Sequence, residues 1–196
     1  MINELSAHAE SAKFSRNVDQ IISILFCTFF GLYVLFVTFI LFFSRVGIFD
    51  QPLAINIDPF SSIIVDITQL ATPLWRIALN HLLINLFLFT PMGWYLPILT
   101  PGRSKVQYLA AIILMGLLAE VVQAVFRLGV ADIDDLILYL LGGLLGLMIH
   151  SALLVWLKEP QRVKLFTAIF SSVIGLTVIG VVVYQIIDHI IWMNSL

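Results

Sequence analysis

Five long apolar runs set the limits on what this chain can fold into. They cover roughly residues 21–43, 77–99, 107–126, 135–157 and 165–187. Crossing a hydrocarbon core of roughly 30 Å takes about 20 mostly apolar residues as a helix, and each run is long enough. A single segment in lipid must satisfy its own backbone hydrogen bonds, which selects the helix. Charge, proline or glycine punctuates the later breaks: Thr100-Pro101-Gly102-Arg103, Arg127 to Asp134, and Lys158-Glu159-Pro160. The sequence therefore predicts an all-α polytopic membrane protein with five transmembrane helices.

Composition supports this class and excludes others. Hydrophobic residues make up 61% of the 196 and charged residues 11%, against roughly 25% charged in soluble domains. No soluble-looking block interrupts the runs. The expected organisation is a cytoplasmic N-terminal segment over 1–20 followed by a single membrane domain over 21–196. The first run follows a mostly polar stretch and ends at Ser44-Arg45 rather than at a small-residue cleavage site, so it reads as an uncleaved anchor. A formal net charge of −2 argues against a nucleic-acid partner. Cys27 is the single cysteine, which rules out an intrachain disulfide and any multi-cysteine metal site. No cofactor is expected.

Orientation follows from the basic residues, because lysine and arginine in short loops are retained on the cytoplasmic side. Lys13, Arg16, Arg103, Lys105, Lys158, Arg162 and Lys164 fall at one set of helix ends; Arg45, Arg76 and Arg127 fall at the other. The bias predicts a cytoplasmic N-terminus and an outside C-terminus. The first connection, about 44–76, then faces outward. It is largely apolar from Pro59 to Thr72, broken by Pro52, Pro59 and Pro73, with Phe60, Ile63, Ile64, Ile67 and Leu70 near helical spacing. This pattern predicts an interfacial or re-entrant helix in the loop, and we favour the interfacial one.

Several polar residues stand where hydrocarbon does not tolerate them. Asn80, His81 and Asn85 interrupt the second run, and His81 and Asn85 share a helix face. In the third, Glu120, Gln123 and Arg127 fall within an arc of about 60° at roughly 100° per residue. Asp132, Asp134 and Asp135 open the fourth run, with Tyr139 one turn below Asp135. In the predicted topology all of these lie toward the outer side and converge on one pocket. Glu120 sits about 10 Å below Arg127 at 1.5 Å per residue. A carboxylate there calls for a cationic or hydrogen-bonding partner, with Arg127 or His81 the natural candidates.

Each residue also has a plainer reading. Asn80, Asn85 and Gln123 suit interhelical hydrogen bonds, Asp134 and Asp135 suit a helix cap, and His81 at a helix start is unremarkable. Glu120 is the exception, because an ionisable group inside a membrane helix is a functional hypothesis by default. Gly142, Gly143 and Gly146 form a small-residue face suited to close helix packing. Pro91 with Gly93 predicts a kink in the second span.

Three segments together resemble the VanZ-like family of teicoplanin-resistance-type membrane proteins. They are Asp58-Pro59-Phe60; Asn85 to Gly93, with Pro91-Met92-Gly93 at its end; and Glu120-Val121-Val122-Gln123 leading to Asp132-Ile133-Asp134-Asp135 and on to Gly142. The resemblance spans roughly 58–150. It implies a functional polar cluster of Asn85, Glu120, Gln123, Asp132, Asp134 and Asp135, to which the residues themselves add His81, Arg127 and Tyr139. Tyr139 stands where the family usually has asparagine. The resemblance also implies a multi-pass protein of the bacterial cell membrane, typical of Gram-positive bacteria, that lowers susceptibility to lipoglycopeptide antibiotics.

The leading functional expectation is a cell-envelope protein whose outward pocket binds a lipid-tailed or lipid-linked molecule. Its partners would be membrane lipids and either a lipoglycopeptide antibiotic or a lipid-linked cell-wall precursor. An enzyme modifying such a precursor is the first alternative. Against it, the chain carries no His-Glu-x-x-His motif, serine elbow or phosphate loop. A lipid or proton-coupled transporter is the second.

Overall fold

The computed structural model of this chain describes residues 2–43, 55–127 and 130–193, with side chains over 16–41, 55–127, 130–177, 179 and 180. Arg45 and Pro52, which entered the reading of the first connection, lie outside the described residues. In chain order the elements are α1 (Ile2–Thr38), running into a wider π-helical turn at Phe39–Phe43; strand β1 (Ile55–Asn56); α2 (Ser61–Gln69); α3 (Trp75–Leu88); α4 (Thr90–Leu99); α5 (Lys105–Phe126); strand β2 (Ala131–Asp132); α6 (Ile133–Leu157); and α7 (Pro160–Met193).

Among the described residues, four helical stretches are long and apolar enough to cross a membrane: Arg16–Leu41, Trp75–Leu99, Lys105–Phe126 and Ile133–Leu157. They correspond to the first four runs of the sequence. The fifth run lies within α7, whose side chains at 178 and from 181 onward are outside the described residues. Apolar side chains are turned outward along these helices. Leu114, Leu118 and Val125 on α5 are 67%, 61% and 69% exposed, an arrangement suited to lipid rather than water.

The chain forms two compact units, one of Met1–Val34 with Glu159–Leu196, the other of Leu35–Lys158. Within the first, Lys164 on α7 donates to Ser23 Oγ at 2.8 Å and lies over the Phe26 ring. Gly175 leaves room for Phe29.

The second unit is organised around α6, which packs against α3, α4 and α5. Its glycine face allows that packing. A Cβ on Gly142 would stand 1.9 Å from the Leu86 carbonyl oxygen of α3, and one on Gly146 would stand 2.0 Å from the Thr90 oxygen of α4. From the other side, a Cβ on Gly93 would meet the Gly143 oxygen at 1.9 Å. Backbones this close bring long rows of atoms into dispersion contact, which replaces the missing hydrophobic drive in lipid. Pro91 and Gly93 mark a full break, not merely a kink, since the second span divides at Phe89 into α3 and α4. Pro91 falls in the first turn of α4, where its missing N–H costs no helical bond.

Local signals place the remaining ends. Ser104 and Gln107 form a reciprocal capping box at the start of α5. Arg127 ends α5 in the left-handed region at φ 54°, and Lys158 ends α6 similarly at φ 62°. The loop helix anticipated in the first connection is α2. The parallel pair β1–β2, with Ile55 opposite Ala131 and Asn56 opposite Asp132, is an element that the sequence pattern did not foretell. Two residues per strand carry too little pattern to be seen in advance.

Gly142→Ala is expected to force α3 away from α6, since the clash is with backbone and no rotamer relieves it. Overpacking of this kind costs about 1–3 kcal/mol. Thermal unfolding in detergent should show a lowered Tm for Gly142→Ala and Gly93→Ala. Gly31→Ala, where nothing lies within 4 Å of the added carbon, should be near neutral.

Candidate functional site

The polar cluster assembles at the N-terminal end of α6. Asp132 occupies the N-cap, its backbone extended and its Oδ1 accepting from the Asp134 amide at 2.9 Å. This caps a helix end whose first amides have no intrahelical partner. Asp132 is also tied from three other directions. Its own amide donates to Glu120 Oε2 on α5 at 2.9 Å. Its carboxylate accepts from Ser62 Oγ at 2.5 Å and from Asn56 Nδ2 at 3.2 Å. Glu120 thus accepts from a backbone amide, a contact that the sequence, which points to Arg127 or His81, does not foretell. Arg127 is exposed at the end of α5, and among the described residues it makes no ion pair.

Asp134 does something the sequence did not foretell, in that it caps another helix. Its two oxygens accept from the amides of Phe60 at 2.6 Å, Ser62 at 2.8 Å and Ile63 at 3.2 Å. These are the first amides of α2, more than seventy residues earlier in the chain. Phe60 adopts φ 68°, a left-handed conformation that turns its N–H toward the same carboxylate as the helical amides that follow it. The capping anticipated for α6 from Asp134 and Asp135 is supplied instead by Asp132. The reason is steric. The N-cap is the last residue with extended backbone, and Asp134 and Asp135 already lie within the helix.

Asp135 faces the opposite way, into α3. It accepts from Asn85 Nδ2 at 2.5 Å, and His81 Nε2 lies 3.3 Å from the same oxygen. The other ring nitrogen, His81 Nδ1, is 2.6 Å from Asp66 Oδ2 on α2. Because an ionised carboxylate can only accept, Nδ1 carries a proton and donates to Asp66. Asp66, His81, Asn85 and Asp135 therefore form one chain of polar contacts from α2 through α3 to α6.

Burial divides the residues. Asn85, Glu120, Gln123, Asp132, Asp134 and Asp135 are all buried, whereas the side chains of His81 and Asp66 are 33% and 14% exposed. The accessible edge of the cluster thus includes the His81–Asp66 pair. Gln123 is also brought into the core, but there its amide donates to the Leu41 carbonyl in the π-helical turn after α1. Widened turns leave carbonyls without a regular helical partner. Tyr139 is fully buried and stacks on Phe89 with ring centroids 4.3 Å apart, where a broken helix leaves space for a ring. Asn80 is exposed. Among the described residues no three His, Cys, Asp or Glu side chains are disposed to hold a metal ion together.

Asn56, Ser62 and Asp66 do not stand out in the sequence, although each has a local signal. The Asp58 amide donates to Asn56 Oδ1 at 3.1 Å, the Asx-turn common before a helix start, and Ser61-Ser62 follows at the helix entry. Asp66 is the one ionisable residue of α2, set between Val65 and Ile67.

Fold and site together define a helical membrane protein with a carboxylate cluster built around the start of one helix. The VanZ/LLP1 family model matches residues 29–157. The chain belongs to that family, which is linked as a family to glycopeptide resistance. Neither a curated protein nor a solved structure matches it. The matched span includes α2 to α6 and every residue of the cluster.

Removing the Asp134 carboxylate should loosen α2 specifically. For Asp134→Ala, loss of a helix cap costs ~1 kcal/mol, or about a five-fold fall in local protection. Hydrogen exchange should show this acceleration at the amides of 60–63 while those of α5 are unchanged.

Proposed function

We propose that this protein is a five-span protein of the bacterial cell membrane, with N-terminus inside and C-terminus outside. Its polar cluster forms an outward-facing pocket for a lipid-tailed or lipid-linked molecule of the cell envelope. Through that pocket it modulates resistance to lipoglycopeptide antibiotics of the teicoplanin type. The bias of basic residues supports the orientation, and membership of the VanZ/LLP1 family supports the resistance role.

One observation carries the binding reading. The His81–Asp66 edge lies on α2 and the start of α3, the same stretch of chain in which Ile64, Val65, Ile67, Leu74, Trp75 and Ile77 are all exposed. Acceptor-rich and apolar surfaces side by side suit a ligand with a donor-rich head and a hydrocarbon tail. The apolar face of α2 also suits a place in the membrane interface, with Trp75, beside Arg76 at 5.3 Å, at headgroup level. What favours binding over catalysis is that both ring nitrogens of His81 are engaged by neighbouring side chains.

Expressed in a susceptible host, the protein should raise the minimal inhibitory concentration of teicoplanin. Glu120→Gln and Asp135→Asn should abolish that rise while membrane levels of the protein are preserved. Full resistance in both variants would overturn the pocket as the seat of function. Reporter fusions at residue 196 should read as external, and a cytoplasmic reading would overturn the topology.

A further inference from the structure

α2 is tied to the rest of its unit by a set of polar contacts. None of its side chains is buried, so no core residue anchors it, and an element with little apolar burial opens at low cost. Two attachments stand out. At its N-terminus three amides close on Asp134. Further along, Asp66 is held by His81 at 2.6 Å. Five residues separate Ser61 from Asp66, about 7 Å of helix rise, so the second attachment acts at a distance from the first.

The second attachment contains a titratable group in a setting that accommodates both of its states. With His81 neutral, Nδ1–H donates to Asp66, and Asn85 uses one amide hydrogen on His81 Nε2 at 3.1 Å and the other on Asp135. With His81 protonated, Nε2–H is directed to Asp135 Oδ1 at 3.3 Å and the cation lies between two carboxylates. Neither state leaves a ring nitrogen unpaired. The groups facing His81 from the elements packed on α3 are Asp66 on α2 and Asp135 on α6. Asp134, adjacent on α6, is engaged by the amides of α2, and α4 contributes no acidic or basic residue. On α3 itself, Arg76 lies over Trp75.

We propose that His81 is a proton-operated latch, which holds α2 against α3 and α6 when charged and lets it swing about its Asp134-bound N-terminus when neutral. The sign follows from the bonds. Losing the proton turns the ion pair with Asp66 into a hydrogen bond from a neutral imidazole and removes the attraction to Asp135. Raising pH through the titration of His81 therefore loosens α2 and uncovers the accessible edge of the cluster. The latch regulates the pocket proposed above and rests on that reading for its biological consequence, but its motion is testable with no ligand present.

The test is a nitroxide on α2 at Ile67→Cys, an exposed position, with Cys27→Ser removing the native thiol. The full chain is placed in phosphatidylcholine nanodiscs, whose headgroups do not titrate in the range used, and spectra are recorded from about pH 5 to about pH 10. The population ratio of mobile to immobile spectral components should rise about five-fold with pH, in step with the loss of the His81–Asp66 ion pair. In His81→Gln the pH dependence should vanish, leaving the mobile state throughout. Asp66→Asn, which keeps an acceptor for Nδ1–H but not the charge, should flatten the transition. A wild-type spectrum that does not change with pH, or an identical transition in His81→Gln, overturns the latch. Either result leaves the resistance test of Glu120 and Asp135 standing.

Discussion

Hydrocarbon offers no hydrogen bonds, and the arrangement around α6 follows from that one constraint. A chain that brings Glu120, Asp132, Asp134 and Asp135 near membrane helices must supply acceptor-satisfying groups from within the protein. It does so mainly with backbone amides. Asp132 takes the Asp134 amide, Glu120 takes the Asp132 amide, and Asp134 takes three amides of α2. Each contact satisfies a carboxylate and, for the two caps, a helix terminus that would otherwise present bare N–H groups. Among the described residues these three carboxylates thus meet amide dipoles, and the exposed Arg76 and Arg127 remain outside that set of contacts.

The same contacts make the first connection part of the fold. Its β1 strand pairs with β2, Asn56 and Ser62 meet Asp132, and Asp66 meets His81. All but the last converge on the start of α6. That start is in turn fixed by the glycine face further along the helix, where Gly142 and Gly146 set α6 against α3 and α4 at backbone contact. Packing in one half of α6 therefore positions hydrogen-bonding groups in the other. α2 itself is attached through its first amides on Asp134, Ser62 on Asp132 and Asp66 on His81, and none of its side chains is buried.

Much of this was legible in the sequence, and the legible part has a common cause. A polar residue in a long apolar run is conspicuous because its background is uniform. Asn85, Glu120, Gln123, Asp132, Asp134 and Asp135 stood out for that reason, and the structure buries all six, though it sends Gln123 to Leu41. Asn56, Ser62 and Asp66 lie in a mixed connection where polar residues are ordinary, so their local signals mark a turn and a helix start and not a site. Their partners are separated from them by up to 76 residues, except Asp66, which meets His81 fifteen residues on.

Contiguous segments of the chain specify the class of protein, the positions of four helical stretches able to cross a membrane, an irregularity in the second span near Pro91 and the helix in the first connection. These depend on length, hydropathy and the missing N–H of proline, none of which needs a distant partner. Which carboxylate meets which amide arises only when the helices are packed together. Asp134 and Asp135 are adjacent in sequence, yet helical geometry turns one toward α2 and the other toward α3. Which of two neighbouring acids caps a distant helix is settled by where that helix is brought, and no local pattern encodes it.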